Sequence, residues 1–465
     1  MIRLVVGLRD VTVLPGATRE EDAWLRGFLT FDTRRWTSRG MRDFVSPLYR
    51  GDTFSGGLLP LVSAAALRDK VSVHVSDPRE RPVEPDWTAD LGWLYDYQRD
   101  AVHAVAKHGR GILKLATGGG KGEVITALPR FIPGRWTILV HRTHLMRDLA
   151  KRFETRYGEQ AGRIGDGEWS HRRVTFATLG TLYERRDTEQ AARLFATTQA
   201  LLTDEAHVLP ADTFSEVARR FVSAYYRVGT TATPFGRSDS RSIYAIAELG
   251  PLLYDLDARD LIERETIARP SIRMVSCPHT DPAILSLPWA KLYQTAIVEN
   301  VWRNAMAVRA TVVSPGPRMV FVQELRHGDI LLEQLRTVGL RADYAQGESS
   351  LQRREAMIED LCTGRLDALV ATGVFNEGVN IRNLQTVVIA AGGKSPIAAL
   401  QRVGRATRRD AATGKTTCTV WDFLDLGHPT LAGHARKRRQ AYVSEGYEVS
   451  VMDLPSFSTP TLPGL

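Results

Sequence analysis

Apolar and polar positions alternate at two different periods along the chain, and the change of period divides it. Ile2 to Val6 has the apolar density of a strand, Arg19 to about Phe28 repeats its apolar residues at helical spacing, and Phe44 to Tyr49 returns to strand character. Leu59 to Leu67 then reads as helix and Val71 to Val75 as strand, so residues 1–87 predict a small α+β domain. Arg79 to Asp86, rich in proline and charge, predicts a linker. Beyond it, short apolar runs without alternation are separated by helical stretches: Ile112 to Ala116, Trp136 to Val140, Val174 to Ala177, Leu201 to Thr203 and Tyr226 to Gly229. Such runs suit strands buried on both faces of a parallel sheet. A second series of the same kind starts near Leu261, with strands expected at Met319 to Val322, Arg341 to Tyr344, Ala368 to Val370, Thr386 to Ala390 and Thr419 to Phe423. The pattern therefore predicts two α/β domains of similar architecture over 88–258 and 259–425. Residues 426–465 predict a basic tail that carries the run Arg436, Lys437, Arg438 and Arg439 and ends in a poorly ordered stretch rich in Pro, Ser and Thr.

Composition narrows the class without choosing a function. At 43% hydrophobic residues the chain is too apolar to be disordered. No apolar run approaches the roughly 18 residues that span a bilayer, and the start Met-Ile-Arg-Leu-Val-Val lacks the long apolar stretch of a signal peptide. A cytoplasmic protein without membrane contact is expected. Cys277, Cys362 and Cys418 are odd in number and far apart, which argues against a disulfide framework or a zinc site. The net charge of +8 permits nucleic acid as a partner without requiring it.

The chemistry concentrates where the apolar run Ile112 to Ala116 leads into Thr117-Gly118-Gly119-Gly120-Lys121 and then into a helical pattern. A strand, a glycine loop and a helix in that order form a phosphate cradle: backbone N–H groups approach phosphate oxygens, the helix N-terminus favours negative charge, and Lys121 reaches the β and γ phosphates. Gly122 stands where such loops carry the Ser or Thr whose hydroxyl binds Mg²⁺. Taken alone, a glycine-rich turn can be only a tight turn. The second signal is the apolar run Ala200-Leu201-Leu202 leading into Thr203-Asp204-Glu205-Ala206-His207. An acidic pair after a buried strand puts two carboxylates at the carboxyl edge of the sheet beside the cradle, one for Mg²⁺ and one to orient or activate water, although taken alone such a pair can be only a helix N-terminal charge pair.

These segments resemble the motifs of superfamily 2 DEAH-box helicases, in family order. Asp204-Glu205-Ala206-His207 and Thr231-Ala232-Thr233 resemble motifs II and III, Tyr95-Asp96-Tyr97-Gln98 resembles the adenine-reading glutamine segment, and Val140-His141-Arg142 and Ala177-Thr178-Leu179 resemble motifs Ia and Ib. Met319 to Val322 resembles motif IV, Ala371-Thr372-Gly373 with Glu377-Gly378-Val379-Asn380 motif V, and Gln401 to Arg408 motif VI. The likeness covers residues from about 88 to 425. It implies two RecA-like parallel-sheet motor domains behind a small N-terminal α+β accessory domain, with ATP and Mg²⁺ as cofactors. It implies ATP contacts from Tyr95, Gln98, Thr117, Gly118, Gly119, Gly120, Lys121, Gly122 and Asp204, with Asp204 holding the metal. Glu205, Gln401, Arg405 and Arg408 are implied as catalytic, the two arginines being presented from the second motor domain to the phosphates. Arg142, Thr178, Thr372 and Gly373 are implied as nucleic-acid contacts, and His207, Thr231, Thr233 and Gly378 as coupling residues.

The small N-terminal domain, Leu261 to Pro270 with Asn300 to Asn304, Lys394-Ser395, and His434, Arg438, Tyr442 and Gly446 further resemble UvsW-type phage recombination helicases and XPB-like relatives. That branch implies a monomeric motor on branched DNA, or on junctions of single strand and duplex, in a bacterial or phage-infected cell. An RNA helicase and an ATP-gated clamp without hydrolysis stay open as alternatives. Arg34, Arg35, Arg39 and Arg42 around Trp36 suit duplex arms or a solvated face equally, and the run Arg436 to Arg439 is read in the same two ways. With Gly122, weaker Mg²⁺ binding is expected, but not inactivity.

Overall fold

The computed structural model describes residues 1–37, 40–206, 211–232, 242–277, 282–347, 349–373, 381, 383–410 and 413–452. It divides into two compact units, Met1–Ala116 with Gly120–Leu256, and Thr117–Gly119 with Asp257–Leu465.

The first unit begins with strands β1 (Ile2–Val6), β2 (Asp10–Val13), β3 (Thr30–Thr37), β4 (Gly40–Pro47), β5 (Tyr49–Arg50), β6 (Thr53–Ser55) and β7 (Val73–Ser76). Five of them form a sheet in the order β5-β6-β2-β1-β7, while β3 and β4 pair as a separate antiparallel hairpin. The helix Arg19–Phe28 starts at a capping box in which Thr18 and Glu21 satisfy each other's backbone N–H groups. It buries Leu25 in a core with Leu4, Val11, Leu58 and Val62. The apolar pattern did not show β2, which is only four residues long, or β3, which mixes charged and polar residues with few apolar ones.

This small domain is seated on the sheet that follows. Arg110 Nη2 donates to the Leu8 carbonyl at 2.7 Å, and a Cβ at Gly57 would stand 2.1 Å from the Ile246 carbonyl oxygen, so only glycine permits that approach. The expected linker is pinned too: Tyr226 donates to the Val83 carbonyl at 3.0 Å, and the Arg79 guanidinium lies 5.1 Å from the centre of the Tyr225 ring.

The large sheet of the first unit comprises β8 (Arg110–Leu115), β9 (Trp136–Val140), β10 (Gly162–Gly165), β11 (Glu168–Trp169), β12 (Val174–Thr178), β13 (Ala200–Thr203), β14 (Tyr226–Thr231) and β15 (Leu252–Leu256). Their order is β11-β10-β12-β9-β13-β14-β8-β15, parallel except for the pair β10 and β11. Every residue of β9, β12, β13 and β14 is buried, which is why those runs show no alternation. Because neighbouring strands run the same way, their C-terminal ends share one edge.

The second unit holds β16 (Arg269–Cys277), β17 (Arg318–Phe321), β18 (Ala342–Ala345), β19 (Ala368–Ala371), β20 (Thr386–Ile389), β21 (Thr417–Asp425) and β22 (Glu448–Met452), in the parallel order β18-β19-β17-β20-β21-β16-β22. The expectation of a separate basic tail over 426–465 is corrected here. Helix Pro429–Ser444 and β22 belong to this fold, with β22 paired along β16; residues 453–465 lie outside the described residues. The physical reason is a buried acid. Asp422 on β21 is wholly buried, and Arg438 meets both its carboxylate oxygens at 2.8 and 2.9 Å while Tyr442 donates to it at 2.8 Å. Of the basic run, Arg438 is therefore core, whereas Arg436, Lys437 and Arg439 are exposed.

A second buried pair explains the segment Asn300 to Asn304. Asn300 caps helix Val301–Val313, Arg303 pairs with Asp425 at 2.8 Å, and Asn304 bonds to His327 at 2.9 Å. Burial, with Arg303 adding to it, pushes the His327 imidazole down to about 3, so its ring is neutral.

Candidate functional site

The glycine loop leaves β8 at the C-terminal edge of the first unit's large sheet and ends at helix Lys121–Phe131. Gly118 and Gly120 have φ of +95° and +76°, a left-handed region that side chains oppose. At Gly120 a Cβ would also stand 2.2 Å from Gln98 Nε2. Gln98, 4% exposed, accepts the Tyr95 backbone N–H at 3.0 Å, so the glutamine segment is packed onto the loop. Tyr95 stacks at 5.5 Å on the buried Tyr97 and keeps an exposed ring.

The adjoining strand end supplies the acids. Lys121 Nζ meets Glu205 Oε1 at 2.5 Å, and both side chains are largely shielded from solvent. Burial pushes the Asp204 carboxyl well up, and the neighbouring Glu205 charge adds to it. Lys121 and the Thr230 hydroxyl, which donates to Asp204 Oδ1 at 2.8 Å, pull the other way. Glu205 has φ of +48°, a strained conformation for a residue with a side chain. Thr230 escaped the sequence reading although it directly precedes the motif-III residue Thr231, which ends β14 and is buried. His207, Thr233 and Gly378, together with Glu377, Val379 and Asn380, lie outside the described residues.

These features fit a nucleotide with a divalent cation. The loop is one that side chains would fill, Lys121 can exchange a carboxylate for a phosphate, and Asp204 is an oxygen ligand of the type Mg²⁺ takes. Among the described residues no three His, Cys, Asp or Glu cluster as a metal cage, so Asp204 would share the ion with phosphate oxygens and water. Gly122 is not forced by sterics: a Cβ there meets Arg152 Nη1 at 3.4 Å and Leu149 Cδ2 at 3.5 Å, ordinary contacts. Gly122→Ser is accordingly expected to fold as the parent does and to lower the Mg²⁺ concentration for half-maximal ATP hydrolysis roughly 10-fold. A Mg²⁺ titration of phosphate release checks it, and an unmoved midpoint would mean that water already replaces the hydroxyl fully.

Arg142 and Thr178 are neighbours on the same edge, since Thr178 pairs with Val140 in the sheet. Arg142 is exposed at the N-cap of helix Thr143–Tyr157, whereas Thr178 is buried and its hydroxyl donates to Thr181 at 2.9 Å. Glu123, next to the cradle, is gripped by Arg152 at 2.7 Å and Arg156 at 2.6 Å from the helix that Arg142 caps. The helix that follows the glycine loop is thereby tied to the helix that Arg142 caps.

In the second unit Thr372 and Gly373 follow β19, with Thr372 buried. Gln401 and Arg405 lie four residues apart on helix Pro396–Ala406, hence on one face, both partly exposed. Arg408 pairs with Ile267 just beyond that helix. The structure adds Lys415, a buried residue whose ammonium donates to the Ala406 carbonyl at 2.6 Å and whose burial brings it down to about 8. It holds the helix end beside Arg405 and Arg408.

Comparison with known proteins bears on the family. Residues 92–236 match the family described as Type III restriction enzyme, res subunit, and residues 303–410 match the Helicase conserved C-terminal domain. The chain is an ATP-dependent helicase of superfamily 2, built on two RecA-like motor domains. Within that superfamily it resembles the UvsW-type and XPB-like helicases. It is 24% identical over 374 residues to the ATP-dependent DNA helicase UvsW of Enterobacteria phage T4, covering 77% of this chain and 71% of that one. It is 28% identical over 387 residues to the DNA 3′–5′ helicase XPB of Mycobacterium tuberculosis, covering 80% and 68%. The DNA-bound structure of the ATP-dependent Type ISP restriction-modification enzyme LlaBIII shares the fold, with a TM-score of 0.58 at 15% identity over 84% of this chain and 34% of that one. Among the described residues no helix is long and apolar enough to cross a membrane.

Proposed function

We propose that this helicase is a DNA motor that remodels branched duplexes, forks and Holliday-type junctions, by hydrolysing ATP with Mg²⁺. The observation that carries the reading is the Lys121, Glu205 and Asp204 constellation on the same sheet edge as Arg142 and Thr178, so that the phosphate site and a strand-contact surface share one rigid element. The names of the relatives support DNA over RNA.

Tyr95 and Gln98 hold the adenine, the loop from Thr117 to Gly122 with Lys121 holds the phosphates, and Asp204 holds the metal. Bound Mg²⁺-ATP supplies a phosphoryl group that passes to water with charge spread over its oxygens. Glu205 orients that water, Gln401 is assigned to catalysis with it, and Arg405 and Arg408 stabilise the developing charge. Arg142, Thr178, Thr372 and Gly373 contact the sugar-phosphate backbone, which needs no base reading. His207, Thr231, Thr233 and Gly378 couple the two events. Residues 1–87 serve as an accessory domain and the protein works as a monomer on DNA.

Steady-state phosphate release is the test, comparing no nucleic acid, single-stranded DNA, duplex, a four-way junction and an RNA fork. The junction is expected to stimulate most, on the order of 10-fold or more over the unstimulated rate. Stronger stimulation by the RNA fork would make it an RNA helicase. Tight ATP-dependent DNA binding without turnover would make it a clamp.

A further inference from the structure

Residues 282–298 form a small insert between β16 and helix Val301–Val313, with a core of their own. Ile284, Leu292, Ile297 and Val298 pack with Leu431 of helix Pro429–Ser444, apart from the main core of the second sheet. Although that apolar cluster is at hand, Trp289 is not buried in it: the indole remains 47% exposed. It is nonetheless held on two sides, with ring centres 5.8 Å from Tyr293 at 43° and 5.3 Å from His434 at 69°. The helix Trp289–Tyr293 continues directly into a π-helical turn, Gln294–Val298, a costly irregularity that commonly accompanies a functional position.

The surroundings are positive. Lys394 and Lys437 are both exposed, and together with Arg438 they bear on His434, whose imidazole is held below its usual range first by burial and then by these three cations. The insert is tied to the loop that carries Lys394: Tyr293 donates to the Ala391 carbonyl at 2.7 Å, and Arg438 donates to the Gly393 carbonyl at 2.6 Å. That loop follows β20, one strand removed from β19, whose end carries Thr372. With strands about 4.8 Å apart, the two chain exits lie roughly 10 Å apart on one sheet edge.

We propose that Trp289 is the stacking face of a single-strand site in the second unit, where the indole takes an unpaired base and Lys394 and Lys437 take the flanking phosphates. An exposed ring held against two aromatic neighbours, with exposed lysines on the loop and helix that adjoin its insert, matches what an unpaired strand offers, a flat base between two anions. The inference rests on the reading of the chain as a DNA motor and adds where the unpaired strand is held.

Fluorescence anisotropy with the full chain tests it, using a labelled oligothymidylate and a strand of equal length that carries abasic sites. Trp289→Ala is expected to weaken oligothymidylate binding ~10-fold, while Trp289→Phe, which keeps a ring, stays within ~3-fold of the parent. Both variants should bind the abasic strand as the parent does, because only the base contact has been removed. Lys394→Gln with Lys437→Gln should weaken both strands and make the salt dependence shallower by roughly 1.4 in log–log slope. Parent-like binding of oligothymidylate by Trp289→Ala, or an equal loss on the abasic strand, overturns the platform. If the parent neither binds DNA nor responds to it in phosphate release, the motor reading falls as well, so the two failures are told apart by the parent alone.

Discussion

Lys121→Ala is expected to lower DNA-stimulated phosphate release at least ~100-fold, the scale seen when a single charge-stabilising group is removed from a phosphoryl or acyl transfer site. The ammonium meets Glu205 at 2.5 Å and is thus already placed where the cradle, the acids and the helix N-terminus converge. Its removal deletes the cation for the β and γ phosphates. It also withdraws the positive charge that helps keep Asp204 ionised, since Lys121 opposes the upward push of burial there. Nucleotide affinity and turnover should therefore fall together. Lys121→Arg keeps the charge but brings a larger, planar group into a loop closed down by Gln98, so only partial recovery is expected. Phosphate release, with thermal unfolding as a control for folding, decides the matter: turnover at the parent rate in Lys121→Ala would remove the site assignment.

Arg438→Ala should be the most damaging change to stability, costing about 3 to 5 kcal/mol. Asp422 lies on β21 in the middle of the second sheet with no exposed surface, and Arg438 satisfies both its oxygens as well as the Gly393 and Phe423 carbonyls. Without the guanidinium, a buried carboxylate keeps one strong donor from a neighbouring side chain, the Tyr442 hydroxyl. The neighbouring Arg439→Ala, at an exposed position of the same helix, should move stability by less than about 0.5 kcal/mol. Urea unfolding followed through the transition of the second unit separates the two. Equal midpoints for the two variants would show that Asp422 does not depend on Arg438. Replacing Asp422 and Arg438 together by leucine should recover much of the loss, because the cost lies in the orphaned charge and not in the absence of the pair.

The glycine loop, the acidic pair and the segment carrying Arg405 and Arg408 were legible in the chain itself because each is a short segment whose pattern depends on neighbours in sequence. A strand must precede the glycines and a helix must follow them, and the apolar pattern reports both. The fully buried strands were legible for the same reason: continuous apolar runs have few other uses in a chain of this composition. Strand β16 was missed, since it begins with Arg269 and Pro270 and intersperses polar residues; pairing along the whole of β21 makes it a strand. Thr230 and Lys415 escaped, and Arg438 was read only as part of a basic run and of a family ending, for a different reason. A hydroxyl, an ammonium and a guanidinium look like surface groups until a buried partner is known, and their partners Asp204, Ala406 and Asp422 lie 26, 9 and 16 residues away. Trp289 and His434, separated by 145 positions, meet only because a small insert and a late helix pack together. The sequence by itself thus determined the class of chemistry and the parallel sheets that bear it, both of which follow from local pattern. The tertiary structure alone decided which charges are core, which hydroxyl bonds to the buried Asp204 and which aromatic stays open, because burial and pairing between distant segments are properties of packing that no local period encodes.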